Sequence, residues 1–307
     1  MNVVRLTFSL QMFYDNALIP PKYVSANQDM KGLKALEVFD KTVEAITSAG
    51  IMVFLNNHTS KAQWCCSMTD GDGLWWNKEY PEAMYFECLE AFANRYKNNP
   101  RVIGMDIRNE IRPNKELVPN WGTGIEPLDW QMAAEKVGNK IQSIAPHWLI
   151  IIGGLDYQLD LKPIVSKPVK LKVPNKVVYS GHIYSFSWPE WTDKKWQKAT
   201  YEEFYNELRE KELLVRDAGY PFLLGEFGTN TRNKFWQYLM QLLKETNIDW
   251  TYWCLDGYKC LDQEDETYGL LTKDFKNVRY EWAREDLKKV GRPSASSEKI
   301  QELYDEE

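Results

Sequence analysis

Polar and aromatic side chains follow several short apolar runs of this 307-residue sequence. Each run is rich in β-branched and other apolar residues, which is typical of strands covered on both faces. In a parallel barrel the ends of all strands meet at one mouth, so side chains that are distant in sequence converge there. The side chains that would converge are Arg5, His58, Asn109, Glu110, His182, Tyr184, Glu226 and Trp253.

Two carboxylates of this set, Glu110 and Glu226, follow different strands. Cleavage of a glycosidic bond uses such a pair, because one carboxyl group protonates the leaving oxygen while the other attacks the anomeric carbon. The positive charge of Arg5 and the hydroxyl group of Tyr184 would favour an ionised Glu226, as a nucleophile requires. The pattern therefore predicts Glu226 as the nucleophile.

Glu110 has no obvious cationic partner in the set except Arg108 and Arg112, and strand alternation points Arg108 away from it. A carboxyl group without a cation keeps a raised pKa, so Glu110 is predicted to be the acid/base. Asn109 would then hydrogen-bond the 2-hydroxyl of the sugar. The two carboxyl groups are expected to lie about 5–5.5 Å apart, the separation found in enzymes that retain the anomeric configuration.

The sequence contains an unusually high number of tryptophans, 13 in all. Exposed aromatic rings suit the apolar faces of pyranose rings, whereas packing between long loops explains any single tryptophan equally well. Two enriched loops, residues 57–78 and 184–200, favour a cleft that holds several sugar units. The aromatic residues of these loops are Trp64, Trp75, Trp76, Phe186, Trp188, Trp191 and Trp196.

Short apolar runs alternate with longer amphipathic stretches along the chain, which predicts βα units and a parallel sheet. The predicted strands are Asn2–Phe8, Ile51–Asn56, Val102–Arg108, Trp148–Gly153, Val177–His182, Pro221–Glu226 and Asp249–Cys254. The predicted helices lie near residues 32–49, 81–97, 127–144, 200–218, 231–246 and 278–290, with a short helix after Gly154. These elements predict an α/β fold, a TIM (β/α)8 barrel over residues 1–291, followed by a charged tail at 292–307. Because a closed barrel needs one strand more than these seven, the first βα unit is expected to be missing.

Composition argues against several classes of partner. A net charge of −6 without a Lys/Arg-rich cluster predicts no nucleic-acid partner. No apolar run approaches the roughly 20 residues of a membrane span, and the first residues do not read as a signal peptide. The five cysteines, at 65, 66, 88, 254 and 260, are too few for a disulfide scaffold and lack the CxxC spacing of a zinc site. Cys254 and Cys260 are equally compatible with a disulfide and with two thiols.

Several motifs resemble those of glycoside hydrolase family 5, the cellulase family, in the same order along the chain. The matching segments are NVVRL, LNNH, QWCCSMTDGDGLWW, DIRNE, GHIYS, LGEFGT and YWCLDG. The adjacent cysteines and the sequence after the Asn-Glu pair are similar to a cellulase-like branch of plants and other eukaryotes. The resemblance implies an eight-stranded barrel, no metal or other cofactor, hydrolysis through a covalent glycosyl-enzyme, and an extracellular location.

The resemblance also assigns roles to the residues around the two carboxylates. Glu226 matches the nucleophile of the family, and Asn109 with Glu110 matches its Asn-Glu acid/base pair. Arg5 matches the arginine that holds the nucleophile, and Tyr184 the tyrosine that supports it.

Three further positions match residues near the sugar of the −1 subsite. His58 matches a histidine that touches this sugar, and Trp253 matches the platform under it. His182 matches the histidine that supports the acid/base. Trp64 and Trp75 are added as candidate substrate-binding residues because of their loop.

The sequence thus predicts a monomeric, retaining O-glycoside hydrolase that acts on polysaccharide, with endo-β-1,4-glucanase as the leading activity. Mannan, β-1,3-glucan or a glucoside with a non-sugar aglycone are alternative substrates within the same fold. A carbohydrate-binding remnant without catalysis is a different class. A metal-dependent hydrolase using His58 and His182 is a third, although the sequence has no HxH or HxxxH pair.

Overall fold

Seven parallel strands form one sheet in the computed structural model, which describes residues 2–188, 190–259 and 263–291. The strands are β1 (Val3–Ser9), β2 (Met52–Thr59), β3 (Val102–Asp106), β4 (Leu149–Gly153), β5 (Val177–His182), β6 (Phe222–Glu226) and β7 (Asp249–Trp250). All seven predicted strands are confirmed, and the last is shorter than predicted. A small antiparallel hairpin follows, formed by β8 (Tyr258–Lys259) and β9 (Glu264–Asp265).

The order of strands in the sheet is their order in the chain, so every strand pairs with its sequence neighbours. The pairing is parallel throughout, from Val3 opposite Met52 at one end to Leu224 opposite Trp250 at the other. Parallel neighbours need a crossover between them, and here the crossovers contain the helices. In the described part of the chain β1 and β7 do not pair with each other. The described residues therefore form a TIM barrel with seven of its eight strands, as predicted.

Helices cover the outer face of the sheet. They are α1 (Leu10–Asp15), α2 (Ala35–Ser48), α3 (Glu82–Tyr96), α4 (Trp130–Ile144), α5 (Lys162–Ser166), α6 (Asp193–Lys198), α7 (Tyr201–Leu208), α8 (Leu214–Asp217), α9 (Lys234–Thr246) and α10 (Glu281–Val290). The predicted helices are confirmed, including the short one after Gly154. The stretch predicted at 200–218 is interrupted by a π-helical segment, Arg209–Leu213.

Local sequence explains where several helices begin. Asp129 and Asn233 precede α4 and α9, and each side chain accepts a hydrogen bond from a backbone N–H of the first turn. Thr200 and Glu203 form a reciprocal capping box at the start of α7. Apolar residues at helical spacing then face the sheet, as in α3, where Tyr85, Leu89, Phe92 and Tyr96 are buried.

The barrel interior is open at the side between β1 and β7. A cavity of about 2120 Å³ runs from the carboxylates at the mouth down to apolar side chains of the lower barrel, such as Leu6, Phe54 and Leu223. Residues of both edge strands and of α10 line it. In a closed barrel an eighth strand with its helix would fill this space. Here the barrel interior and the cleft at the mouth form one continuous cavity.

The predicted division into a domain over 1–291 and a charged tail stays a prediction, because residues 292–307 lie outside the described residues. No helix within the described ranges combines the length and the hydropathy of a membrane span.

Candidate active site

Arg5, the third residue of β1, connects β3 and the residues after it with β6. Its Nε donates to Asp106 Oδ2 at 2.8 Å and its Nη2 donates to Asn109 Oδ1 at 2.7 Å. Its Nη1 donates to Glu226 Oε1. Burial lowers the pKa of Arg5, but the charges of Asp106 and Glu226 outweigh this effect and raise the pKa above its ordinary value. The guanidinium is therefore a fixed positive charge at the mouth of the barrel.

Glu226 ends β6 and is buried. Besides the bond from Arg5, its Oε2 accepts a hydrogen bond from the Tyr184 hydroxyl group at 3.0 Å. Burial, and then the neighbouring charges of Glu226 and Glu110, raise the pKa of Tyr184 well above its ordinary value, so Tyr184 remains a donor. Both carboxylate oxygens of Glu226 therefore accept a hydrogen bond, one from a guanidinium and one from a hydroxyl group.

Glu110 follows β3 and has a different environment. Its carboxyl group contacts His182 Nδ1 at 3.0 Å, and its side chain is 12% exposed. Burial raises the pKa of Glu110 to about 7, against the opposing charges of Arg112 and Arg5. Arg112 donates to the backbone oxygen of Glu110. Arg108 points away, as predicted, and pairs with Asp72.

His182 lies between the two carboxyl groups. Its Nδ1 is 3.0 Å from Glu110 Oε1 and 3.6 Å from Glu226 Oε2. Burial lowers the pKa of His182 to about 3, so the ring is neutral. One oxygen of Glu110, one oxygen of Glu226 and a ring nitrogen of His182 all lie within 4.8 Å of one another. The carboxyl groups are thus close neighbours.

The backbone at Glu110 adopts the left-handed conformation, with φ of 45°. This conformation is unfavourable for a residue with a side chain and persists where surrounding contacts impose it. Glu110 N–H donates to Gln158 Oε1 at 2.9 Å, and Gln158 is fully buried beside β5, where its Nε2 donates to Ser180. A Cβ on Gly153 would lie 2.3 Å from the Gln158 side chain, so a glycine is needed there.

His58 and Trp253 form one wall of the cleft. Their rings stack with centroids 4.8 Å apart and an interplanar angle of 2°. His58 Nδ1 is 2.8 Å from Asn56 Oδ1, while Asn56 Nδ2 donates to Asp106 Oδ2. Because the Asn56 oxygen can only accept, Nδ1 of His58 carries the proton and Nε2 is left to accept from a ligand. Burial, with the charge of Arg5 next, lowers the pKa of His58 well below its ordinary value, so this ring is neutral.

The tryptophan expectations were partly wrong. Trp64 is 40% exposed, lines the cleft and lies 6.0 Å from Trp253, between ring centroids. Trp75 is only 1% exposed, packs on Trp130 and donates a hydrogen bond to Glu82. The prediction that Trp75 binds substrate at the cleft surface was therefore wrong. Packing between loops, the alternative reading, also explains the buried cluster of Trp188, Trp191 and Trp196, whereas Phe186 is exposed over Tyr184.

The structure brings Arg5, His58, Asn109, Glu110, His182, Tyr184, Glu226 and Trp253 to one cavity. Sequence reasoning missed four further contributors: Asn56, Asp106, Gln158 and the pair Cys65–Cys66, which forms a disulfide beside Asn109. Alternation along β2 offered a signal for Asn56, which lies two residues before the cleft residue His58 and bonds it. Cys254 is a buried free cysteine, and Cys260 lies outside the described residues.

Comparison with known proteins identifies relatives over most of the chain. The sequence profile of Cellulase (glycosyl hydrolase family 5) matches residues 1–259. An endoglucanase of Paenibacillus polymyxa is 30% identical, covering 95% of this chain and 73% of that protein. A glycosyl hydrolase 5 family protein of Chamaecyparis obtusa is 28% identical, covering 95% of this chain and 56% of that protein. The solved catalytic domain of the major endoglucanase from Xanthomonas campestris pv. campestris is 27% identical with a TM-score of 0.79, covering 94% of this chain and 84% of that one.

The family match and the geometry concern the same residues. Residues 1–259 include all seven strands of the barrel sheet and all eight side chains that the sequence predicted at its mouth. The chain spans just over half the length of the cypress protein and about three quarters of the bacterial one. This chain belongs to the cellulase family, glycosyl hydrolase family 5, whose members hydrolyse O-glycosidic bonds.

Proposed function

We propose that the protein is an endo-acting β-1,4-glucan hydrolase that retains the anomeric configuration, with Glu226 as nucleophile and Glu110 as acid/base. The observation that carries the proposal is the placement of these two carboxyl groups, which have oxygens within 4.8 Å of each other. Retaining enzymes have closely spaced carboxyl groups, whereas inverting enzymes leave room of about 6.5–9.5 Å for a water molecule.

The environments of the two groups suit opposite tasks. Arg5 and Tyr184 donate to Glu226 and favour the carboxylate that attacks the anomeric carbon. Burial keeps Glu110 protonated near neutral pH, so it can give its proton to the leaving oxygen. In the second step the ionised Glu110 takes a proton from water, whose oxygen displaces Glu226 from the anomeric carbon and regenerates both groups.

The remaining polar groups of the cleft would bind and orient the sugar. Asn109 accepts from Arg5 through Oδ1, and its Nδ2, which lies 3.6 Å from the Cys65 and Cys66 sulfur atoms, would donate to the 2-hydroxyl. His58 offers Nε2 as an acceptor, and Trp253 provides a ring face beside it. Trp64 and Phe186 extend the aromatic surface outward, which favours a chain of several sugar units over a single one.

The substrate assignment rests on this open aromatic cleft together with the relatives, two of which are named endoglucanases. Mannan, β-1,3-glucan and aryl glucosides remain alternatives with the same chemistry. We also propose an extracytoplasmic location, because a disulfide such as Cys65–Cys66 persists in oxidising compartments. A monomer without nucleic-acid or membrane partners is part of the same proposal.

The test is hydrolysis by the purified chain of soluble β-glucans, mannan and aryl glycosides, with Glu226→Ala as the control. We expect turnover of β-1,4-glucan that the substitution abolishes, while binding of oligosaccharide, measured by calorimetry, persists on the aromatic surface. NMR of the first product should show the β-anomer. An α-anomer would contradict the mechanism, and turnover of mannan alone would contradict the substrate.

Two controls separate the other classes. Activity that survives an excess of chelator excludes a metal-dependent hydrolase. A folded chain that binds oligosaccharide but cleaves no substrate of the panel would leave only the carbohydrate-binding reading. Residual hydrolysis by Glu226→Ala would show that a residue other than Glu226 is the nucleophile.

A further inference from the structure

The loop between β2 and α3 carries two adjacent cysteines into the cleft, Cys65 and Cys66. They are joined by a disulfide and are partly exposed to the cavity. Each Sγ lies 3.6 Å from Nδ2 of Asn109. One oxygen of Glu110 and the two sulfur atoms all lie within 4.8 Å of one another. Two sulfur atoms and a carboxylate therefore meet at the proposed acid/base.

Contacts other than the disulfide hold this loop on its N-terminal side. Asp72 accepts two hydrogen bonds from the backbone N–H of Ser60, at 2.8 and 3.1 Å, and its carboxylate pairs with Arg108 at 2.8 Å. Both partners of that ion pair are buried. This end of the loop is anchored to the segment that follows β3, without the sulfur atoms.

The segment that follows the cysteines is anchored in a similar way. Arg112 pairs with Asp70 at 2.6 Å and donates from Nε to the backbone oxygen of Ser67 at 3.2 Å. Ser67 N–H donates in turn to Asp70. Because both flanks are fixed independently, breaking the S–S bond should leave the two sulfur atoms beside Glu110.

We propose that Cys65, Cys66 and Glu110 form a binding site for a soft divalent cation when the disulfide is reduced. Thiolate and carboxylate ligands in a set of three, with solvent for the fourth position, are typical of Zn²⁺ and Cd²⁺. Tetrahedral Zn–S bonds of about 2.3 Å place two sulfur ligands roughly 3.8 Å apart, so the two sulfur atoms must separate after the S–S bond is broken. Mg²⁺ and Ca²⁺ prefer oxygen ligands alone and should not bind.

Two steps lead to the bound state. A phosphine reductant takes the oxygen of one water molecule and becomes its oxide, the S–S bond breaks, and the two hydrogens of that water yield two thiols. The cation then displaces a proton from each thiol, and the third proton comes from Glu110 if its carboxyl group is protonated. Cation binding would occupy the oxygen that donates to the leaving group. The reduced, metal-loaded chain should therefore be inactive, and this last consequence alone rests on the proposed hydrolysis.

The experiment compares the oxidised chain with the same chain reduced by a water-soluble phosphine, which offers no thiol of its own to the metal. Free thiols are counted under denaturing conditions, CdCl₂ is added, and the ultraviolet thiolate-to-cadmium band and the bound metal per chain are measured after desalting. We expect one more equivalent of Cd²⁺ in the reduced chain than in the oxidised chain, and no additional uptake of Mg²⁺. Cys65→Ser/Cys66→Ser should lose that equivalent, whereas Cys88→Ala, which removes a thiol buried in the core, should keep it.

Equal cadmium uptake by the oxidised and reduced chains would overturn the proposal, and so would retention of the extra equivalent by Cys65→Ser/Cys66→Ser. If that double variant does not fold, the comparison of oxidised and reduced wild-type protein decides. Glu110→Gln should bind cadmium more weakly while keeping the ultraviolet band, and unchanged affinity removes Glu110 from the site. The metal site stands if cadmium binds but no glycoside is cleaved, so its failure and that of the proposed function are distinguishable.

Discussion

Arg5 on the first strand donates from Nη1 to Oε1 of Glu226 on the sixth strand, across the open interior of the barrel. The same guanidinium holds Asp106 and Asn109. Arg5, on an edge strand, thus holds three side chains in place. They are the proposed nucleophile Glu226, the buried Asp106 of β3 and Asn109, whose amide is expected to bind the 2-hydroxyl of the sugar. Loss of this side chain should affect stability and catalysis together.

We expect Arg5→Ala to lower the free energy of unfolding by about 3–5 kcal/mol, because Asp106 and Glu226 then remain buried without their cation. Arg5→Lys keeps the charge but cannot serve three acceptors with a planar fork, so it should retain more stability than activity. Urea unfolding and kcat/KM on the same samples provide the measurement. Equal loss of both quantities in Arg5→Lys would argue against a role in orienting Glu226.

The pH dependence of activity should report Glu110. Its pKa of about 7 means that the protonated acid disappears as pH rises through neutrality, so kcat/KM should fall above about pH 7. Since this folded-state pKa lies above the ordinary value of 4.5, the stability that Glu110 contributes is present below pH 4.5 and is lost between 4.5 and about 7. Glu110→Gln should remove that part of the slope of unfolding free energy against pH. An activity profile flat from pH 6 to 9 would contradict the assignment.

Gln158 should act on the reaction through Glu110, whose backbone it holds in the left-handed conformation. We expect Gln158→Ala to lower kcat by about 10- to 100-fold with little change in KM, since small displacements of a catalytic group have effects of this size. The matched control is Gln142→Ala, which removes another buried glutamine; it lies on α4, does not line the cleft, and bonds to the backbone of Val173. The control should lose stability but keep kcat, and equal kinetic losses in the two variants would show a general packing effect.

The sequence predicted the strands, most of the helices and the convergence of the polar set, because hydrophobic periodicity and strand ends depend on local pattern. It did not predict Gln158, which reaches Glu110 through a turn whose residues Asp156, Tyr157 and Gln158 all have positive φ. Such a turn contains no glycine, so nothing in the composition marks it. The burial of Trp75 was missed for a related reason. Whether a loop tryptophan faces solvent depends on what the loop packs against, here Trp130 of α4, and that is a tertiary contact.

Trp64 and Trp75 lie on the same loop and should respond differently to truncation. Trp64→Ala removes an exposed ring beside Trp253, so we expect a several-fold higher KM on glucan and an unchanged melting temperature. Trp75→Ala empties a core site and should cost about 3–5 kcal/mol of stability. Thermal melts and initial rates on soluble glucan check both. An unchanged KM in Trp64→Ala would remove this residue from the binding surface.

Glu212 lies in the π-helical segment before α8, fully buried against Gly181 of β5. Neither of its carboxylate oxygens has a hydrogen-bond partner among the described residues. Burial raises the pKa of Glu212 well above its ordinary value, so the folded chain keeps the group protonated. An acid with a raised folded-state pKa destabilises the fold progressively as pH rises above the unfolded value of 4.5. We therefore expect Glu212→Met to raise the free energy of unfolding by roughly 1–3 kcal/mol at pH 8 and by less at pH 5, because the substitution replaces an unsatisfied polar group with an apolar one of similar size.

Glu210→Met, in the same segment but exposed, is the matched control and should leave stability nearly unchanged at both pH values. Destabilisation by Glu212→Met at pH 8 would show that the buried carboxyl group has a stabilising partner in solution.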